Sequence, residues 1–304
     1  MPMLAGVEIA DSFAEAFPMA ATRLIVTAAS PRWAMIAATA ATGYAASVIG
    51  CDAEAGIERE LGPTETPDGR AGVSLLFFAF SRDALQKAVV NRTAQCLLTC
   101  ATTAVYSGLV GDPGKAMKLG GQLRYYGDGW QIAKQLGGER FWRIPTMDGE
   151  FLVADEIGTT KGVAGGNLIF IGRTQAETLQ AAEVAVEAMR RVPGVILPFP
   201  GGVVRSGSKV GSKYKALMAS TNDAFCPTIR GITRSEISPG IESVMEIVID
   251  GLTEADVREA TRVGVQACCD IGAAGGIRRI SAGNYGGKLG QFQFHLHDIM
   301  GGAK

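Results

Sequence analysis

Histidine is the scarcest chemically versatile residue of this chain, with 2 copies among 304 residues. Any Ser-His-Asp or Cys-His catalytic system would have to use His295 or His297. Strict alternation from Phe292 to Leu296 predicts a strand that carries both imidazoles on one polar face. With Asp298 they outline a metal site, and hence a distant alternative, a metal-dependent hydrolase. A plain polar strand face explains the same pattern, and we favour it.

Cysteine is also sparse: there are 6, and no two of them are spaced as C-x-x-C. Six cysteines in 304 residues are too sparse for a disulfide scaffold, and a redox or zinc site built from cysteine pairs would need the C-x-x-C spacing that is missing. We therefore expect reduced thiols that pack as small apolar side chains. The pattern favours a cytoplasmic protein with no metal and no disulfide framework.

Neither sign of charge dominates, and long uncharged hydrophobic runs are missing. The chain has 29 basic and 30 acidic residues, so it offers no electrostatic grip on nucleic acid or on a membrane surface. Its most apolar region, residues 14–51, is interrupted by Arg23, Pro31 and Arg32, which argues against a membrane span. Mean hydropathy is nevertheless high, at +0.17. We expect the surplus apolar surface to be buried in subunit contacts of a homo-oligomer.

Three common catalytic motifs are missing as well. No G-x-S-x-G sequence is present, which excludes the nucleophile elbow of α/β-hydrolases. Gly287-Lys288 is not followed by Ser or Thr, so the chain has no phosphate-binding P-loop. Residues 127–129 lack the third glycine of the dinucleotide-binding fingerprint. Nucleotide hydrolysis and nicotinamide redox chemistry are therefore disfavoured.

Strand-like and helical segments alternate in both halves of the chain. Thr174 and Glu177 form a T-x-x-E capping box ahead of a periodic helix, and a similar cap recurs at residue 253. Such strand–helix–strand units predict an α+β fold of the split-βαβ kind, with antiparallel sheets and helices on one face. We expect two lobes of similar architecture, residues 1–149 and residues 150–304. In the first half, strands are predicted over residues 23–29, 46–51 and 73–80.

Glu246 is the strongest candidate for chemistry. It lies in the apolar run Val-Met-Glu-Ile-Val-Ile at residues 244–249, a strand in which its same-face neighbours are Val244 and Val248. A carboxyl group in such surroundings is desolvated, which raises its pKa and suits a general acid/base. A structural salt bridge to a buried Arg or Lys fits the sequence equally well.

Gly-rich loops form the second group of candidates. The loop over residues 205–213 combines flexible backbone with hydroxyl and ammonium groups, which suits an anion cradle. The loop over residues 283–290 offers backbone N–H groups that can stabilise an oxyanion. Residues 162–167 and 220–227 are two further polar loops, and each of the four has a purely structural explanation. The candidate binding residues are Gly165, Gly166, Asn167, Ser208, Lys209, Ser212, Lys213, Asn222, Asp223, Asn284, Gly286, Gly287 and Lys288.

Together these features favour group transfer between two soluble substrates, with a proton shuttle and backbone dipoles instead of a metal or prosthetic group. Distinctive blocks go further than composition does. They lie at residues 27–37, 66–70, 162–167, 198–202, 208–213, 219–224, 280–284 and 286–291. In these blocks, in their order and over nearly its whole length, the chain resembles formylmethanofuran–tetrahydromethanopterin formyltransferases.

The resemblance implies a fold of two ferredoxin-like lobes, distal and proximal, and an assembly as a dimer or homotetramer. It implies formyl transfer between the amine of methanofuran and N5 of tetrahydromethanopterin in a ternary complex, with both coenzymes as substrates and no prosthetic group. Glu246 matches the family's Glu-Ile-Val-Ile strand and so becomes the expected proton shuttle. Lys209, Lys213 and Lys288 are expected to pair with acidic groups of the coenzymes.

The near-neutral charge resembles the bacterial version of the family, used by methylotrophs in the oxidation of formaldehyde to formate. In that setting the expected direction is toward formylmethanofuran, with hydrolase subunits as partners. The alternative is a non-catalytic scaffold subunit of a formyltransferase/hydrolase complex. Loss of Glu246 or of residues 286–288 would favour that alternative, and all of them are present.

Overall fold

The computed structural model describes residues 3–110, 115–207 and 209–301. The strands are β1 (Met3–Leu4), β2 (Val7–Ile9), β3 (Phe13–Thr27), β4 (Glu54–Leu61), β5 (Gly72–Ala79), β6 (Ala104–Ser107), β7 (Met117–Lys118), β8 (Ile132–Leu136), β9 (Glu139–Thr146), β10 (Gly149–Ala154), β11 (Glu156–Ile157), β12 (Thr160–Gly172), β13 (Val195–Ile196), β14 (Lys209–Val210), β15 (Ala219–Ser220), β16 (Ser243–Gly251), β17 (Ile277–Ser281) and β18 (Phe292–His295). The α-helices are α1 (Pro31–Thr42), α2 (Arg82–Arg92), α3 (Gly120–Leu123), α4 (Gln175–Met189), α5 (Glu254–Ile271) and α6 (Leu296–Gly301).

The chain forms two compact units. One, the N-terminal unit, is Met19–Gly162, and the other, the C-terminal unit, combines Met1–Pro18 with Val163–Lys304. This division differs from the predicted lobes because the long strands β3 and β12 each begin in one unit and end in the other. The C-terminal unit therefore includes a segment from the start of the chain. A single boundary in the sequence cannot describe such a division.

The N-terminal unit is built on a βαββαβ motif. Its four strands lie in the order β6-β3-β5-β4, and every neighbouring pair is antiparallel. Helix α1 connects β3 to β4, and α2 follows β5. On one face of this sheet, side chains such as Leu24 and Leu75 pack against the buried alanines of α1 and against Leu85 of α2. The opposite face carries Arg23, whose guanidinium forms an ion pair with Glu58.

The C-terminal unit repeats the same motif. Its strands lie in the order β17-β12-β16-β13, again antiparallel throughout, with α4 after β12 and α5 after β16. Leu168 and Phe170 of β12 face these helices, whereas Ile169 and Ile171 face the other way. Both units thus have the strand order of a ferredoxin-like fold, and the predicted α+β class with two lobes is confirmed.

The helices begin where the capping pattern predicts. The Thr174 hydroxyl accepts a hydrogen bond from the Glu177 N–H at 3.3 Å at the start of α4. At the start of α5, Thr253 and Asp256 form a reciprocal capping box, with distances of 3.1 and 2.9 Å. Each cap satisfies backbone donors that the first helical turn leaves free.

Two local predictions were wrong. Residues 46–51 form turns instead of a strand, because the carboxylate of Glu54 accepts the Val48 N–H at 3.1 Å, and β4 begins only at Glu54. The last strand ends at His295, and α6 begins at the next residue. Leu296 and Ile299 are both buried, at the three-residue spacing of a helix face.

Residues 197–242, between β13 and β16, cover the face of the C-terminal sheet that the helices leave open. Ile237 and Ile241 of this segment are buried against Ile169 and Ile171. The segment also contains the small hairpin of β14 and β15. It therefore supplies a polar, irregular cover over the strand that carries Glu246.

Candidate active site

Glu246 lies in the middle of β16, on the helix-free face of the C-terminal sheet. Its cross-strand partner is Ile169 of β12, which in turn lies opposite Ser281 of β17. The backbone of Val204 pairs with Glu246 through two hydrogen bonds of 2.7 and 2.8 Å. Sheet and covering segment together leave the Glu246 residue 8% exposed.

The carboxyl group of Glu246 has an amide as its hydrogen-bond partner instead of a cation. Asn167 Nδ2 donates to Glu246 Oε1 at 2.5 Å. Across residues 3–110, 115–207 and 209–301, no Lys, Arg or His lies within ion-pair distance of this carboxyl. Of the two explanations that the sequence leaves open for Glu246, the geometry matches the desolvated acid and not the buried salt bridge.

Burial raises the pKa of Glu246, and the hydrogen bond from Asn167 offsets part of that rise. A carboxyl group taken out of water without a counter-charge favours its neutral form. The raised pKa moves the group toward the range in which a side chain can both give and accept a proton.

A cavity of about 360 Å³ opens onto Glu246. This volume is at the lower end of the range for small-molecule sites, about 300–1,000 Å³. Its wall includes the predicted binding residues Asn167, Lys209, Asn222 and Asn284. Further lining residues, which the sequence did not single out, are Asp11, Ser12, Arg205, Ser206, Cys226, Glu236, Arg279 and Ser281.

Gly207 passes close to the second carboxyl oxygen of Glu246. Its φ is +54°, and a Cβ atom built on it would lie 3.6 Å from Glu246 Oε2. Glycine adopts this left-handed conformation without a steric penalty and adds no side chain over the carboxyl. The backbone at this position therefore leaves Oε2 accessible from the cavity.

The predicted anion cradle is only partly brought together. Lys209 Nζ forms an ion pair with Asp223, and this contact lowers the pKa of the aspartate. The Ser212 hydroxyl accepts the Tyr214 N–H at 3.1 Å, and Lys213 is exposed. Lys209 lines the cavity, as do Arg205, Ser206 and Gly207 of the same loop, whereas Ser212 and Lys213 do not. Ser208 lies outside the described residues.

In the loop over residues 283–290, which the sequence predicts as an oxyanion site, four backbone N–H groups already have an acceptor. The N–H groups of Tyr285, Gly287, Leu289 and Gly290 donate to the carboxylate of Glu15, at distances between 2.5 and 3.0 Å. Burial acts to raise the pKa of Glu15, but these four hydrogen bonds outweigh it and lower the pKa. Glu15 is a structural residue that sequence reasoning missed, because only its apolar neighbours on β3 hint at burial.

Gly286 and Lys288 of the same loop are exposed. Gly286 N–H donates to Asn284 Oδ1 at 3.1 Å, a turn that shapes the loop. None of residues 286–288 lines the cavity, whereas Gly283, Asn284 and Tyr285 do. The loop therefore borders the cavity through its first residues.

Gly165 and Gly166 lie within strand β12 and not in a loop. Gly165 has a φ of +86° at a β-bulge, and its N–H donates to Asp250 Oδ1 at 2.9 Å. A Cβ on Gly166 would lie 3.0 Å from a methyl group of Val257. Both glycines permit close packing that directs the next residue, Asn167, toward Glu246.

The two histidines are on different elements. His295 ends β18 and stacks against Phe13 with ring centroids 4.9 Å apart, whereas His297 lies in α6 and its Nε2 contacts the Ile9 carbonyl at 2.9 Å. Within the described ranges, no cluster of three or more His, Cys, Asp or Glu residues is arranged to hold a metal ion. In the same part of the chain, no helix combines the length and the apolar character that crossing a membrane requires.

Two βαββαβ units, with a buried carboxyl group at a cavity in the second, define a two-lobed α+β protein. Two family models divide the chain between them. The model of formylmethanofuran-tetrahydromethanopterin formyltransferase matches residues 3–146, and the model of its proximal lobe matches residues 149–299. The chain belongs to the formylmethanofuran–tetrahydromethanopterin formyltransferase family, and the resemblance inferred from the sequence is confirmed.

Relatives and solved structures agree with this assignment. The chain is 62% identical to a formylmethanofuran–tetrahydromethanopterin formyltransferase of Methylococcus capsulatus, over 97% of this chain and 98% of the relative. It is 54% identical to a component of the formyltransferase/hydrolase complex of Methylorubrum extorquens, over 98% and 97% of the two chains.

The crystal structure of the formyltransferase/hydrolase complex from Methylorubrum extorquens with methylofuran contains a chain that matches with a TM-score of 0.96 and 52% identity, covering 98% of both chains. The formyltransferase from Methanosarcina barkeri matches with a TM-score of 0.92 and 46% identity, covering 98% of this chain and 100% of that one.

Proposed function

We propose that this protein is an acyltransferase that moves a formyl group between N5 of tetrahydromethanopterin and the amine of methanofuran. Both coenzymes are substrates and meet in a ternary complex without a prosthetic group. The family assignment over residues 3–146 and 149–299 supports the substrates. The observation that carries the chemistry is the Glu246 carboxyl, which is buried without a cation partner and opens onto the cavity.

The reaction needs one proton to change place. The attacking amine forms a bond to the formyl carbon, and the tetrahedral intermediate then releases the other nitrogen. Neutral Glu246 gives its proton to the leaving nitrogen and receives one from the attacking nitrogen, so it ends as it began. Because the transfer exchanges one C–N bond for another, no oxidant or reductant is required.

The direct test follows formyl transfer from formyltetrahydromethanopterin to methanofuran by absorbance, with the purified protein alone. We expect turnover that requires both coenzymes. A protein that stays silent alone but supports turnover after hydrolase subunits are added would favour the second candidate, a scaffold subunit. We retain the scaffold subunit as a second candidate because the chain is 54% identical to a component of a formyltransferase/hydrolase complex.

We also propose that the transfer runs toward formylmethanofuran in the cytoplasm, as one step of formaldehyde oxidation to formate. High identity to relatives from Methylococcus and Methylobacillus supports this setting. Equilibrium measurements give no direction in the cell, so the test is metabolic. Deletion of the gene should stop formate production from labelled formaldehyde and should leave formyltetrahydromethanopterin to accumulate.

Assembly is part of the proposal: a homodimer or homotetramer, with hydrolase subunits as further partners. The β14–β15 hairpin supports such contacts, because four of its apolar side chains are exposed. They are Val210, Tyr214, Leu217 and Met218. Light scattering of the purified chain would reveal a multiple of 31.8 kDa if the chain self-associates.

The proposed binding surface includes Lys209, Asn222 and Asn284 at the cavity, with Lys213 and Lys288 exposed beyond it. Replacing Lys288 or Lys213 by Ala should raise KM for the anionic coenzyme by about two- to fivefold, the weight of an exposed ion pair, with kcat unchanged. The increase should fade as salt is added, because the charges are screened. Initial rates at several ionic strengths check this.

The matched control for those variants is Lys134→Ala, an exposed lysine on β8 of the N-terminal unit. It should leave KM unchanged at every ionic strength. If all three variants behave alike, Lys213 and Lys288 are removed from the proposed binding surface.

A further inference from the structure

The amide of Asn167 is held in one orientation. Its Oδ1 accepts the backbone N–H of Gly283 at 2.8 Å. A backbone N–H can only donate, so the oxygen of the amide must be the atom on that side. The NH₂ group of Asn167 therefore points at Glu246, where Nδ2 lies 2.5 Å from Oε1.

This orientation makes the two oxygens of Glu246 unequal. An NH₂ group can only donate, so Oε1 must accept from it. In a neutral carboxyl group one oxygen is the carbonyl and the other carries the hydroxyl proton. The carbonyl is the better acceptor, and so the hydroxyl is assigned to Oε2, the oxygen that Gly207 leaves uncovered at the cavity.

We propose that Asn167 is the positioning residue of proton transfer: clamped by the Gly283 N–H, it fixes Oε1 of Glu246 as the carbonyl oxygen and presents the proton on Oε2 to the substrates. The inference rests on the proposed function and deepens it. The sequence analysis predicted that Asn167 binds a substrate. In this proposal Asn167 instead acts through Glu246.

The N-terminal unit supplies a natural comparison for this position. Arg23 and Asn167 each lie seven residues before the N-cap of the next helix, Ser30 and Thr174. At the Arg23 position a guanidinium pairs with Glu58 at 2.6 Å, so this position supplies a counter-charge. The amide at residue 167 places no counter-charge beside Glu246. Glu246 can therefore keep its proton and act as a donor.

Other titratable groups face the same cavity and must be separated from Glu246 in any pH measurement. From the remaining walls they are Asp11, Arg205, Lys209, Cys226, Glu236, Arg279 and Tyr285. Lys209 and Arg279 have carboxylate partners of their own, Asp223 and Glu8. Subtraction of the Glu246→Gln signal isolates the carboxyl in question.

Two variants test the inference. Asn167→Leu removes both the donor to Glu246 and the acceptor for Gly283, and keeps the branching and number of heavy atoms. Asn167→Asp keeps an acceptor for Gly283 but turns an acceptor toward Oε1, so the Glu246 proton is drawn to Oε1 and away from the cavity. We expect kcat to fall about 100-fold or more in both, with KM nearly unchanged.

A spectroscopic readout is independent of turnover. In infrared difference spectra against Glu246→Gln, the carbonyl stretch of neutral Glu246 should shift to higher frequency in Asn167→Leu, because its hydrogen bond is lost. In the same variant the pH at which Glu246 loses its proton should rise, since the Asn167 bond otherwise favours the ionised form. Asn91→Leu, at an exposed position of α2, is the control and should change neither property.

An unchanged carbonyl band and an unchanged titration in Asn167→Leu would overturn the inference, whatever the rates. A full rate in Asn167→Asp would overturn it as well, since that variant redirects the proton. If the unmodified protein transfers no formyl group, the proposed function fails, and a shift of the band would still establish the clamp. If Asn167→Leu does not fold, the infrared spectrum of Asn167→Asp replaces it. The Glu246 carbonyl band should shift in that variant as well, and an unchanged band would overturn the inference.

Discussion

Replacing Glu246 by Gln should lower kcat for formyl transfer by about 10²- to 10⁴-fold, the usual contribution of a general acid/base. Glutamine keeps the shape of the side chain and an oxygen that accepts from Asn167. It cannot release a proton from the position of Oε2. The substrates still bind, so KM should change little, and single-turnover absorbance measurements would place the loss in the chemical step.

The matched control is Glu187→Gln, which neutralises an exposed carboxylate on α4 that is 67% exposed. It should retain the full rate. A Glu246→Gln protein that also retains the rate would remove Glu246 from the mechanism and leave a structural role, although the transferase assignment would survive.

The pH dependence of stability gives a second readout of the same residue. Because burial raises the pKa of Glu246, the folded protein holds this proton more tightly than the unfolded chain. That contribution is present in full below the ordinary value of 4.5 and is lost as pH rises through the raised pKa. The unmodified protein should therefore lose stability relative to Glu246→Gln as pH increases, which thermal unfolding at a series of pH values would measure.

Local sequence signals predicted much of the fold. The caps at Thr174 and Thr253 placed the starts of α4 and α5, and the apolar neighbours of Glu246 predicted its burial. The hydrogen-bond partner of Glu246 could not be predicted from the sequence, because Asn167 and Glu246 are 79 residues apart. Only the register of β12 against β16 brings them together, and a register is set by the whole sheet.

Corresponding positions of the two units carry different polar residues. Ser74 and Glu246 each lie seven residues before the N-cap of the following helix, and each pairs with an isoleucine of the first strand of its unit, Ile25 or Ile169. The matching positions thus hold different chemistry. In the N-terminal unit the Ser74 hydroxyl donates to Glu58 at 2.6 Å.

The two units therefore share caps and strand order but not the polar residues on the open face of the sheet. In the N-terminal unit Arg23 pairs with the buried Glu58, whereas in the C-terminal unit the partner of Glu246 is the amide of Asn167. An ion pair favours the charged carboxylate, whereas a desolvated acid with an amide partner can exchange a proton, and this difference supports the proposed acid–base role of Glu246.

Glu15→Gln is expected to have the largest effect on stability. The Glu15 residue is 1% exposed, and its two oxygens accept four backbone N–H groups of residues 285–290. In the variant, an NH₂ group must face two of these donors, which leaves buried N–H groups without acceptors. The cost should be about 2–4 kcal/mol, which lowers Tm by about 3–6 °C for a chain of this size.

The same variant should reduce activity, because Gly283, which clamps Asn167, begins the loop that Glu15 holds.

The stability that Glu15→Gln loses should also depend on pH. The four N–H groups lower the pKa of Glu15 against the effect of burial, so the stabilisation is present above 4.5 and fades as pH falls through the lowered value. Calorimetry at neutral and acid pH, beside Glu183→Gln on the exposed face of α4, would measure this. If both variants lose the same stability at neutral pH, Glu15 does not hold the loop. In that case the loop, and with it the hydrogen bond from Gly283 to Asn167, would not depend on Glu15. The activity of Glu15→Gln should then equal that of the unmodified protein.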